Sequence, residues 1–139
     1  MTRSSDDTPG HDLAAYLRRY PQEVTFGDED PAVVFDRYHT PDFVMTSDGL
    51  PLDRERLLAH VQSGRKRAAE ISTSIREILV EGNRVAARYV LTAVMRKGQV
   101  IPTEIFMFGS VGTDGRLQSA VQVTRSVQND QDHEPTAAS

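Results

Sequence analysis

Asp48, Glu104 and the pair His39–Asp42 are the groups in this sequence best placed to move protons, and its four tyrosines are the natural hydrogen-bond donors to a carbonyl. Asp48 ends the apolar run Phe43-Val-Met-Thr-Ser47 and precedes Gly49. Read by itself, Asp48-Gly49 is a turn signal, in which the aspartate bonds its own backbone. His39 and Asp42, three apart in Tyr38-His-Thr-Pro-Asp42, form a minimal acid–base unit of the kind dehydration uses. The same residues could instead be a loop in which Asp42 caps backbone amides at the start of a strand. Glu104 lies inside a strand-like stretch beside Phe106 and Phe108. On a concave face it would be a buried acid with a raised pKa. On an outer face it would pair across strands with Arg88 or Arg76. Tyr16, Tyr38 and Tyr89 carry a polar tip on an apolar ring, which suits a pocket for ring-shaped ligands and equally a plain core.

Other chemistries find little support. His60 sits within a helical stretch beside Val61, in packing or at the surface, and His11 and His133 lie in or next to the ends of the chain. No spacing among the four histidines suits a metal, no glycine loop suits a phosphate, and no Ser-His-Asp set stands out, so no cofactor is expected. The chain has no cysteine, which excludes disulfide and thiol chemistry. A formal charge of −4 offers no electrostatic footprint for nucleic acid, and Arg65-Lys66-Arg67 reads as a basic helix end. No apolar run approaches a membrane span and residues 2–12 lack a signal-peptide core, so a cytoplasmic location is expected.

The elements that must position these groups are legible in the spacing. Residues 1–10 and 128–139 are polar and read as disordered tails around one domain at 11–127. Leu13, Tyr16, Leu17, Tyr20 and Val24 recur at helical spacing behind the capping Asp12, and Pro21 should kink or restart that helix. Asp30-Pro31 opens a short second helix carrying Val33, Val34 and Phe35, which ends before Pro41. Phe43–Thr46 makes a strand, Asp48-Gly49 a turn, and Asp53 caps a third helix with Leu57, Leu58 and Val61 inward, ending at Gly64 and the basic run. Four strands follow at 70–80, 84–96, 100–111 and 116–127, separated by glycine-containing turns.

Helices first and an antiparallel meander afterwards predict an α+β domain in which a curved sheet wraps over three N-terminal helices as a cone, with a cavity in its mouth. Val85, Ala87, Tyr89 and Leu91 share one strand face, while Ala86, Val90 and Val94 share the other, so neither face is built for water. The outer face should therefore seat a second copy of the chain, as a homodimer.

Together the motifs "PDFVMTSDG", "DRERLLAHV", "EGNRVAARYVL" and "GTDGRLQSAVQV" resemble the nuclear transport factor 2-like superfamily, and within it the SnoaL-like and ketosteroid isomerase-like small single-domain bacterial members. The resemblance covers nearly all of residues 11–127. It implies the cone fold, dimerisation and a pocket, without choosing a reaction. Tyr20 stands at the offset from Gly27-Asp28 where ketosteroid isomerase carries its oxyanion-donating tyrosine, and Asp48 lies within one residue of that enzyme's basic aspartate. The resemblance thus implies a phenol donor and a carboxylate base, as in an isomerase or aldol cyclase.

The departures are as informative. Met107 stands near the isomerase's second oxyanion donor and cannot donate. SnoaL-like cyclases place an aspartate in the last strand and a histidine in the strand before it. Here Leu117–Thr124 has no carboxylate and residues 100–111 no histidine. Gln122 and Thr124 could orient a ligand but not act as a base. Limonene epoxide hydrolase needs an Asp-Arg-Asp set, of which Arg88 alone is available. Two readings follow. One is a cofactor-independent isomerase, cyclase or dehydratase acting on a hydrophobic cyclic, polyketide-like metabolite through Tyr20 and Asp48. The other is a non-catalytic ligand-binding or accessory protein on the same dimeric fold.

Overall fold

Asp12, Asp30 and Asp53 each stand immediately before a helix, and each carboxylate accepts a first-turn backbone N–H, from Ala15, Ala32 and Arg56 respectively. In the computed structural model, which describes residues 8–127, the helices are α1 (Leu13–Phe26), α2 (Pro31–Tyr38) and α3 (Arg54–Arg67). The strands are β1 (His39–Ser47), β2 (Leu50–Leu52), β3 (Ala68–Glu81), β4 (Arg84–Met95), β5 (Val100–Val111) and β6 (Leu117–Ser126). They form one curved, unclosed sheet in the order β2-β1-β6-β5-β4-β3. Every pairing is antiparallel except β1 with β6. No helix among the described residues is long and apolar enough to cross a membrane.

Two helix expectations change. Pro21 does not break α1, which runs through it to Phe26. Proline removes the N–H that would bond the Leu17 carbonyl, and Thr73 Oγ1 from β3 supplies that bond instead at 3.1 Å. Gly64 does not end α3, which continues to a cap at Ala68. At the N-terminal end, Thr8 and Pro9 are buried and the Gly10 N–H bonds the Gly115 carbonyl at 2.8 Å. Residues 8–10, expected in a disordered tail at 1–10, are therefore part of the packed unit. The rest of that tail, residues 1–7, and the tail expected at 128–139 fall outside the described residues.

The long strands alternate as their patterning requires. Val85, Ala87 and Tyr89 of β4 and Ile105 and Met107 of β5 face the helices in one core with Leu17, Val34, Phe35 and Tyr38. Burying an aliphatic or aromatic side chain of this kind contributes roughly 1.5–3 kcal/mol. Extra residues at Ala69 and Arg76 in β3 and at Gln118 in β6 accompany the curvature, since an extra residue bends its strand. None of α3 is fully buried, although Leu57, Leu58 and Val61 pack against the core. Arginines fasten both ends of α3. Arg54 makes a two-toothed pair with Asp36 of α2 at 3.0 and 2.9 Å. Arg65 donates to the carbonyls of Val24 and Gly27 at 2.7 and 3.1 Å, where α1 ends.

Candidate functional site

Between the concave face of the sheet, α1 and α3 lies a cavity of about 330 Å³. That is at the small end of the range for small-molecule sites. Leu17, Val24, Met45, Val61, Leu91 and Ile105 make its walls largely apolar. Tyr16, Tyr20, Tyr89, Gln122, Thr25 and His60 supply its polar groups. Among the described residues no carboxylate and no Lys or Arg lines it, so a charged ligand would lose its hydration without gaining an ionic partner there.

The two phenols of Tyr20 and Tyr89 have no hydrogen-bond partner among the described residues. No buried polar side-chain atom there is left without one, so both hydroxyls open onto the cavity. Tyr89 is only 9% exposed. Burial pushes its pKa up to about 12, and burial followed by the charge of Asp36 raises that of Tyr20 as well. Near neutral pH both are protonated donors and neither is a base. Gln122 Nε2 donates to Ser47 Oγ at 3.1 Å, which leaves its carbonyl as an acceptor.

Tyr16 differs from its neighbours. Its hydroxyl lies 2.8 Å from His39 Nε2, and His39 Nδ1 lies 2.8 Å from the Phe35 carbonyl. A carbonyl only accepts, so Nδ1 carries the ring proton and Nε2 accepts from the phenol. Burial lowers the His39 pKa to about 4, which keeps the imidazole neutral. His39 also stacks on Phe35 with ring centres 4.2 Å apart, and Tyr16 stacks on Tyr20 at 5.6 Å. This chain of rings fixes Tyr16 and Tyr20 at the cavity wall, while His39 stays behind it.

Of the residues singled out from sequence, Tyr16, Tyr20, Tyr89 and Gln122 meet at this cavity. Asp48 does not line it. With φ of 51° it occupies the β1–β2 turn. Its carboxylate accepts from the Thr124 backbone at 2.8 Å and the Thr124 hydroxyl at 2.6 Å, tying the turn to β6. Those bonds lower its pKa and commit both oxygens. Thr124 is thereby a clamp partner. His39 and Asp42 are not brought together: the Asp42 carboxylate accepts from Thr40 Oγ1 at 2.7 Å. Tyr38 is core, with its hydroxyl donating to Glu23 at 2.9 Å.

Glu104 and Phe106 require a correction, because both lie on the convex face. Register places Glu104 beside Val90 and Arg125, and Phe106 beside Arg88 and Val123. Glu104, 5% exposed, accepts from Arg88 at 2.9 Å and Arg125 at 2.6 Å. Those two guanidiniums hold its carboxyl below the usual range, opposite to the raised value a concave site would give. Arg88 was foreseen as a partner and Arg125 was not. Sequence reasoning also passed over His60 and Gly64 as cavity residues. Their spacing of four on one helix was the available signal.

A family profile described as the SnoaL-like domain matches residues 13–120. No curated protein sequence matches the chain. Among solved structures, AclR from Streptomyces galilaeus, provisionally assigned as a hydroxylase, superposes with a TM-score of 0.63 at 18% identity, covering 81% of this chain and 87% of that one. A provisionally assigned SnoaL-like polyketide cyclase from Jannaschia sp. CCS1 gives 0.62 at 16% identity, covering 89% and 90%. Wild-type IdmH from Streptomyces antibioticus, provisionally assigned as a polyketide cyclase, gives 0.58 at 19% identity, covering 74% and 84%. At these identities the neighbours speak for the cone fold alone. The profile spans most of the chain and every element that builds the cavity, and the chain belongs to the SnoaL-like family.

Proposed function

We propose that this protein binds a neutral, largely apolar, ring-shaped metabolite in the concave cavity and grips a carbonyl or similar acceptor oxygen with Tyr20 and Tyr89. The observation that carries this reading is a pair of unpartnered phenols in an apolar cavity with no charged group on its wall. Two donors that no protein group occupies, facing apolar walls, are free to bond an acceptor oxygen on a ligand. The assignments of AclR and IdmH as hydroxylase and polyketide cyclase are compatible with a ligand of this kind. Binding, rather than carboxylate-driven isomerisation, cyclisation or dehydration, is the better-supported activity, because Asp48 is committed to Thr124. One feature favours catalysis as a second reading. His60 at the rim could accept a proton from a ligand polarised by the two phenols.

The convex face supports a homodimer. Leu79, Ala86, Phe108 and Val121 are successive cross-strand partners over four strands, and Leu79, Phe108 and Val121 are exposed. Such a row on an isolated subunit exposes a continuous apolar band.

Native mass spectrometry of the purified protein, followed by denaturation and identification of what is released, tests this function. The expected result is a dimer retaining a neutral ring compound with an acceptor oxygen. A ligand-free protein that also fails to bind added aromatic ketones would contradict it.

A further inference from the structure

Glycine is the poorest helix former after proline, and Gly64 stands in α3 with nearly a full turn of helix after it. The usual reasons for a helical glycine do not apply. The helix is capped at Ala68, and Gly64 is absent from the positive-φ residues. A Cβ built on it would meet no atom within 4 Å, so no neighbouring backbone requires its small size. The space it leaves open belongs to the cavity, which Gly64 lines together with His60 and Val61. His60 is exposed while lining the same cavity, so the cavity reaches solvent beside this helix. Pro21 and Val24 of α1 line the same cavity. Arg65 fastens the end of α3 to the end of α1, and Arg54 fastens its start to α2, so α3 is held in place and the side chains along it shape the gap to α1.

We infer that Gly64 sets the width of the ligand entrance between α1 and α3, and so limits the size of ring that can pass. The inference rests on the cavity being a ligand site. An access residue differs from a wall residue in kinetics: narrowing an entrance slows association, whereas crowding a wall speeds dissociation.

The test is stopped-flow binding of prodan, a neutral fluorescent naphthyl ketone, to the full chain and to Gly64→Ala and Gly64→Leu, with melting temperatures for all three. Both variants should melt at or above the wild-type temperature, because each is a better helix former. The association rate should fall a few-fold in Gly64→Ala and on the order of tenfold or more in Gly64→Leu. Should Gly64→Leu fail to fold, the graded effect in Gly64→Ala still decides. Wild-type association rates in folded variants, or a loss of affinity confined to faster dissociation, would overturn the entrance role while leaving the cavity a ligand site. No prodan binding by the wild-type protein would overturn the ligand-site reading and the entrance with it.

Discussion

The two faces of one sheet treat buried polar groups in opposite ways. On the convex face Glu104 is satisfied within the protein by Arg88 and Arg125, so its charge is a structural fixture. On the concave side Tyr89 of β4, together with Tyr20 of the facing α1, has no partner among the described residues and opens into a cavity. Alternation along β4 and β5 alone decides which group goes where: Tyr89 and Ile105 face one way, Arg88 and Glu104 the other. A titratable residue in a strand is thus no guide to a site until its face is known. What marks the site is the polar group that folding leaves facing a cavity without a protein partner.

The sharpest way to separate the faces is to charge the outer one. Phe108→Asp places a carboxylate in the apolar row at a residue that is 61% exposed, so the subunit should still fold. Self-association measured by sedimentation should weaken about 100-fold or more, as expected for removal of a central aromatic contact. An unchanged dimer would place the interface elsewhere, and an unchanged monomer would remove the dimer from the account.

The concave side has its own titration. His39 stays neutral in the folded protein down to about pH 4, whereas in the unfolded chain it takes up a proton near its ordinary 6.5. Between those values the unfolded state binds more protons, so stability falls as pH falls through that window. The loss should be on the order of 3 kcal/mol by pH 4. Urea denaturation between pH 4 and 7 should show this slope in the wild-type protein and a shallower one in His39→Gln. Equal slopes would mean that other groups govern acid stability.

Asp48 tests whether the β1–β2 turn is a clamp or a reaction centre. Asp48→Ala loses both bonds to Thr124 and puts alanine at positive φ, so its melting temperature should fall below that of the wild-type protein. Asp48→Asn should cost less, because asparagine tolerates that backbone and keeps one acceptor. Ligand binding should be unchanged in Asp48→Asn. Abolished turnover of a natural substrate by a fully stable Asp48→Asn protein would return this residue to the mechanism.

The smallest effect discriminates between neighbours of the same type. Tyr16→Phe removes the donor to His39 and should cost about 1–2 kcal/mol of stability. Tyr89→Phe removes no protein hydrogen bond and should leave the melting temperature unchanged or slightly raised. Equal losses in the two variants would show that Tyr89 has a structural partner.

Caps, turns and strand faces were legible because they are set by local chemistry. Asp12, Asp30 and Asp53 before their helices and Asp48-Gly49 between strands announce themselves. Pro21 misled because the compensating bond comes from Thr73, remote in sequence. Gly64 misled because glycine inside a helix and glycine ending one look alike without the cavity beside it. The site was half legible. Tyr16 and Tyr89 could be named from their amphipathic rings, an argument that also named the core residue Tyr38, and Tyr20 from the resemblance to ketosteroid isomerase. That Tyr16 is paired and the other two are free depends on the position of His39, and that Glu104 faces outward depends on strand packing. Neither is written in any single stretch of chain.

The most direct measurement compares binding of acetylnaphthalene and ethylnaphthalene, matched in shape but not in acceptor oxygen, to the wild-type protein and to Tyr20→Phe/Tyr89→Phe. Titration calorimetry should show the double variant losing roughly tenfold or more in affinity for the ketone, about 1.4 kcal/mol or more, and nothing for the hydrocarbon. Equal affinities for both compounds in both proteins would contradict the claim that the unpartnered phenols are the ligand's hydrogen-bond donors.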